Sequence, residues 1–151
     1  MKREERIFRA LDELGSHPDK TPGKGAVIRR EVPGYMRLVL ENLGAEKMHD
    51  GRKVVRVSMA HYFEQNGDLI ADPDVVFFVF PETGRAYAAE MSMPSMVING
   101  RERSGYTVAA KIEGGKMFAD PRRFNDLQRF AAQWVSNLKA QGFFKPGAVQ
   151  V

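Results

Sequence analysis

Residues 61–74 bring together one histidine, four carboxylates and two carboxamides, a density of potential ligands found nowhere else in the chain. Glu64, Asp68, Asp72 and Asp74 are oxygen donors of the kind that hard cations such as Mg²⁺ or Ca²⁺ prefer. With His61 as acid or base, they could serve a small metal-assisted hydrolase or nuclease. Their spacing does not match the calcium-binding helix-loop-helix motif, which needs acidic residues at alternating early positions and a distal glutamate. A plainer reading competes. Asn66-Gly67 and Asp72-Pro73 are residues that build turns for backbone reasons, and short acidic side chains there bond to local amides. A histidine at an apolar strand position is more often tethered at the edge of the core than a ligand. We therefore assign no catalytic residue, no metal ligand and no cofactor. As candidates for a ligand- or partner-binding loop we name His61, Tyr62, Glu64, Gln65, Asn66, Asp68, Asp72 and Asp74.

Other chemistry finds little purchase. The chain has no cysteine, which excludes a thiol nucleophile, a thiolate zinc site and a disulfide framework. His17, His49 and His61 lack metal-ligand spacing. Gly23-Lys24-Gly25 lacks the spacing of a phosphate loop, no dinucleotide fingerprint follows a strand, and no Gly-x-Ser-x-Gly elbow occurs. The net charge of +4 and pI near 9.5 raise nucleic acid as a partner. Arg29, Arg30, Arg122, Arg123 and Arg129 are the candidates for phosphate contacts. Asp126 lies three or four residues from Arg123 and Arg122, so ion pairs on a solvated helix face are the simpler reading.

These residues need a scaffold, and the apolar pattern describes one. Ile7, Phe8, Leu11 and Leu14 recur at helical spacing, with Gly15 placed to end the helix. Residues 16–34 read as a loop. Met36, Leu38 and Leu40 share one face of an expected strand, residues 44–53 look turn-like, and residues 53–64 alternate cleanly, with Val55, Val57, Met59, His61 and Phe63 on one side. Asn66-Gly67 is a strong hairpin signal. Asp72-Pro73-Asp74 reads as the end of a connection, and the β-forming run 75–80 as a central strand covered on both faces. Further strands are expected with Tyr87, Ala89, Met91 and Met93 on one face, then Tyr106, Val108, Ala110 and Ile112 on another, with a turn at Asn99-Gly100 between them. Asp120 as N-cap, Pro121 at the first helical position and Gly142 at the end delimit a long helix. Its apolar stripe is Phe124, Leu127, Phe130, Ala131, Trp134 and Leu138.

The chain thus reads as one α+β domain over residues 1–151: an N-terminal helix (1–15), a loop (16–34), a single antiparallel sheet of about five strands (35–118) and a covering C-terminal helix (120–142). The longest apolar run, residues 75–80, falls far short of the roughly 20 residues a spanning helix requires. Met1-Lys2-Arg3-Glu4-Glu5-Arg6 has no apolar stretch behind it. We expect a cytoplasmic protein with no membrane partner. An unpaired edge strand leaves a homodimer open.

The run Ser58-Met59-Ala60-His61-Tyr62-Phe63-Glu64-Gln65-Asn66-Gly67-Asp68-Leu69-Ile70-Ala71-Asp72-Pro73-Asp74 resembles the signature of a family of uncharacterised bacterial domains. That signature is an Ala-His-Tyr-x-x-Gln-Asn-Gly-Asp-Leu-Met-x-Asp-Pro-like stretch, often encoded on plasmids, phages or integrative elements; here Ile70 stands where the pattern has methionine. The resemblance implies a small α+β domain in a mobile-element setting and brings no reaction, cofactor or catalytic residue. It favours a specific role for the 61–74 segment. Our expectation is a non-enzymatic binding or accessory domain, meeting a protein partner or nucleic acid through that segment or the basic helix face. The alternatives are a metal-assisted hydrolase or nuclease and a dedicated nucleic-acid-binding protein.

Overall fold

The computed structural model describes residues 1–15, 24–94, 96–98, 100–103, 105–145 and 149–150, with the backbone alone for Gln65, 96–98, 102–103 and 149–150. His17, Gly23 and the expected turn residue Asn99 lie outside the described residues, as does the side chain of the binding-loop candidate Gln65. The elements run α1 (Arg3–Glu13), β1 (Val27–Glu31), β2 (Arg37–Lys47), β3 (Lys53–Gln65), β4 (Asp68–Phe80), β5 (Arg85–Ser92), β6 (Met96–Ile98), β7 (Arg101–Arg103), β8 (Thr107–Val108), β9 (Ala110–Glu113), β10 (Lys116–Ala119), α2 (Pro121–Gln141) and β11 (Val149–Gln150). The architecture is α+β. An antiparallel sheet is ordered β11-β1-β2-β3-β4-β5-β8, its body made by the five longer strands β1 to β5, and β9–β10 and β6–β7 form separate hairpins.

Both helices cover one face of this sheet. Ile7 and Leu11 of α1, its C-capping Leu14, and Leu127, Ala131, Trp134, Val135 and Leu138 of α2 meet the inward side chains Leu38, Leu40, Val55, Val57, Met59, Val75, Phe77 and Val79, with Phe143 closing one end. Burying aromatic and branched side chains at this density is the main force holding the layers together. Helix α2 begins as its sequence dictates. Asp120 accepts from the Arg123 backbone N–H at 3.1 Å, Pro121 follows, and Gly142 ends the helix in the left-handed conformation. Phe130 departs from the expected stripe: it lies at the helix margin and is exposed, while Gln128 and Val135 are buried in its place. No helix among the described residues is long and apolar enough to cross a membrane.

Several expectations are corrected. Residues 27–31, read as loop, form β1, because the Val27-Ile28 pair can join the sheet edge with only Ile28 packed inward. Strand β2 continues to Lys47, past the expected turn at residue 44. A bulge lies at Asn42–Gly44, where the buried Asn42 side chain accepts from the Gly44 N–H at 2.8 Å. Asp72-Pro73-Asp74 does not end a connection but lies within β4. There Ala60 pairs with Asp74 and Tyr62 with Ala71, so Asp72 and Pro73, joined by a cis peptide bond, together stand opposite His61. A third bulge, at Ala89, flips the pattern of β5. Tyr87 and Ala89 therefore face the second core while Met91 packs on the first, rather than sharing one face. Tyr106 is likewise separated from Ala110 and Ile112, being largely exposed while they pack inward. That second core, Met48, Val54, Phe78, Phe80, Ala89 and Ala110, is roofed by the β9–β10 hairpin. It covers β4 on its other side, as its run of β-formers requires.

Candidate functional site

The β3–β4 hairpin divides the 61–74 segment into three settings. Its inner end is core. His61 is only 8% exposed, and its ring lies 5.6 Å from the rings of both Trp134 and Phe143. Its Nδ1 sits 3.1 Å from the Met36 carbonyl oxygen, with the Arg37 oxygen at 3.4 Å. A carbonyl can only accept, so Nδ1 carries the proton. Burial pushes the imidazole pKa below its ordinary value, while bonds to the Arg37 and Met36 carbonyls and the charge of Asp72 pull the other way. His61 is thus a neutral tether between β3 and the start of β2.

The outer face of the sheet is the second setting. Asp74 pairs in register with Ala60 and Ser92, and its Oδ1 is buried without a hydrogen-bond partner. Burial raises its pKa, and the nearby charges of Glu41 and Glu90 raise it further. Tyr62 beside it is raised by burial, then by Asp74 and Glu41. Because the folded-state pKa of Asp74 lies above the unfolded value near 3.8, its ionised form opposes folding at neutral pH. That opposition disappears as pH falls through the raised value. Asp74→Asn is therefore expected to raise Tm at about pH 7 by a few degrees, the shift that about 1 kcal/mol produces in a chain of this size. The gain should vanish by about pH 4, as melts at the two pH values would show.

The tip is the third setting. Asn66 and Gly67 both take positive φ, 53° and 84°, making the tight turn that the sequence announces. Asp68 and Glu64 are exposed beside it, and Asp72 is half-buried. Glu64 pairs with Leu69 close to the turn, whereas Asp74 stands opposite Ala60, four residues or about 13 Å further along the strand. His61 faces the helices and Asp74 the other side. The convergence that a metal-assisted hydrolase needs is not there, and no three histidine or acidic side chains among the described residues are grouped to hold an ion.

The tip and the β1–β2 turn instead enclose a cleft of about 670 Å³, lined by Val32, Pro33, Tyr35 and Met36 on one side and Tyr62, Phe63, Glu64 and Leu69 on the other. Leu69 is 65% and Tyr35 50% exposed, and Met36 is exposed as well rather than buried with Leu38 and Leu40. Glu31 and Arg37 at the rim form an ion pair at 2.9 Å. Tyr35 also approaches Phe143 at 6.2 Å, tying the cleft wall to the core. Sequence reasoning took up Tyr62 and Glu64 but missed Tyr35, Met36, Phe63 and Leu69. The available signal was an aromatic directly after the Pro33-Gly34 turn, where a core residue has no reason to be.

The arginines do not form one patch. Arg29 is exposed, while Arg30 on the next position of β1 turns the other way and donates from Nε to the Leu14 carbonyl at 3.3 Å. Arg122 and Arg123 are exposed in the first turn of α2, and Arg129 pairs loosely with Asp126 at 3.9 Å. Strands β2, β3 and β4 separate β1 from β5, on which α2 packs. No curated protein and no solved structure matches the chain. A family model described as Domain of unknown function (DUF6908) matches residues 5–144, from the first turn of α1 to just past α2, and the chain belongs to that family.

Proposed function

We propose that this chain is a non-enzymatic binding domain, cytoplasmic and accessory in kind, that holds an apolar segment of a protein partner in the cleft between the β1–β2 turn and the β3–β4 tip. A mobile-element setting, as the likeness of residues 58–74 to such domains implies, suits that role. The observation that carries the reading is the clustering of Tyr35, Met36 and Leu69, all exposed, around one concavity. Single exposed apolar residues are ordinary, but several on a shared hollow mark an interaction surface. Tyrosine and methionine suit such work, the one offering a rigid amphipathic face and the other an adaptable one. The Glu31–Arg37 pair and Glu64 supply the polar rim typical of interfaces. A photo-crosslinking side chain at position 69 should capture one discrete protein from the native cell, and the same group at position 122 should not. Equal capture at both positions, or none at 69, would sink the proposal.

A further inference from the structure

A second cavity lies at the opposite end of the sheet, between the β2–β3 turn and the β9–β10 hairpin, with a volume of about 370 Å³. Its rim carries His49, Arg52 and Lys116, and Phe80 and Tyr87 contribute to its wall. The Arg52 guanidinium is fixed in place. Its Nε donates to Asp50 Oδ2 at 2.7 Å, the Arg52 backbone N–H donates to Asp50 Oδ1 at 3.0 Å, and the guanidinium carbon Cζ lies 5.1 Å from the centre of the Phe80 ring. Bonding to Arg52 also holds the Asp50 carboxyl below its usual pKa, so the orienting anion stays charged.

The two hairpins are built to meet. The His49 N–H donates to the Gly115 carbonyl at 2.7 Å. A Cβ at Gly115 would lie 2.5 Å from the His49 nitrogen, a backbone atom that cannot step aside, and Gly115 takes φ +73°. Only glycine permits this approach. The backbones that carry His49, Arg52 and Lys116 are therefore held side by side by this contact.

We infer that this cavity binds a small phosphorylated molecule with a planar ring, of mononucleotide size. Arg52 and Lys116 exceed Asp50 by one positive charge, and the rim donors face the cavity from two sides, His49 and Arg52 from the β2–β3 turn and Lys116 from β10. That arrangement suits a tetrahedral dianion better than a carboxylate, which a single arginine can satisfy in a fork. The guanidinium already covers Phe80, so its outer face is the surface left for a ring to stack on, with the half-exposed Tyr87, packed against Phe80 and Phe124, as the wall beside it. The volume falls in the range of roughly 300–1,000 Å³ usual for small-molecule sites.

Calorimetric titration of the full chain with AMP, adenosine and inorganic phosphate tests this. AMP should bind one-to-one, with adenosine and phosphate each weaker by on the order of tenfold or more. Lys116→Glu, at an exposed position, should leave Tm unchanged and weaken AMP by a similar factor, while Leu69→Asp at the far end should not alter it. Absence of AMP binding, phosphate binding as tightly as AMP, or an unchanged affinity in Lys116→Glu would each overturn the assignment. So would single-stranded oligonucleotide binding that AMP does not displace.

Discussion

Gln128→Ala is expected to destabilise the fold by roughly 2–4 kcal/mol, although glutamine is polar and sits on a helix. The reason lies in the edge of β5. Beyond Glu90 and Met91, which pair with β8, no strand among the described residues lies beside this edge at Ala88. The Ala88 N–H donates to Gln128 Oε1 at 2.8 Å, and Gln128 Nε2 donates to the Ala88 carbonyl at 2.6 Å. The carboxamide thus does for β5 what a neighbouring peptide group would do, within a site 5% exposed. Removing it leaves two buried backbone groups without partners, each costing about 1–3 kcal/mol. Gln128→Glu sharpens the test. At about pH 7 the new carboxylate would face the Ala88 oxygen and be strongly disfavoured, raising its folded-state pKa. Acidification would protonate it, restore a donor and recover stability. Denaturant unfolding of both variants at neutral and acidic pH measures this directly. A loss below about 0.5 kcal/mol in Gln128→Ala, the range of an ordinary surface change, would contradict it.

His61→Ala should cost about 2–3 kcal/mol, by leaving a cavity between Trp134 and Phe143 and an unpaired Met36 carbonyl. The pH dependence separates the two roles of the ring. Its folded pKa lies below the unfolded value near 6.5, so on acidification the unfolded chain takes the proton first. Stability conferred by neutral His61 is complete above about pH 6.5 and is lost as pH falls towards the folded value. His61→Phe keeps an aromatic ring in the gap, removes the donor and should abolish that acid-dependent step. Urea midpoints between about pH 5 and 7.5 for the two chains would show it; parallel curves would mean that His61 titrates freely.

Much of this architecture is legible from residue order. The alternation through Val55, Val57 and Met59 and the capping of α2 by Asp120, Pro121 and Gly142 announce elements that the fold contains. What escapes is whatever depends on a distant partner. Strand β1 is hidden because Arg29-Arg30-Glu31 carries no apolar alternation, and its place is set by pairing with β2. The bulges at Asn42–Gly44, Asp72-Pro73 and Ala89 shift register by one residue against a neighbour, which flips a face without altering composition. Gln128 looks like any solvated helix residue until β5 is beside it. The 61–74 segment misleads in a similar way, because closeness in sequence suggests one site. Strand pairing sends His61 to the core and Asp74 to the outer face, and of this segment Tyr62, Phe63, Glu64 and Leu69 line the cleft. Tyr35 and Met36 reach that cleft from more than twenty residues away in sequence.

We propose that the cleft at the hairpin tips recognises a partner while the residues beneath it hold the fold. Leu69→Asp and Tyr35→Asp, combined in one chain and compared with wild type by thermal melting and by crosslinking from position 36, separate these two roles. The double variant should keep a Tm within about 2 °C of wild type, as for exposed substitutions, and lose the captured partner. Retention of that partner by the double variant, at full strength and with the fold intact, would contradict it.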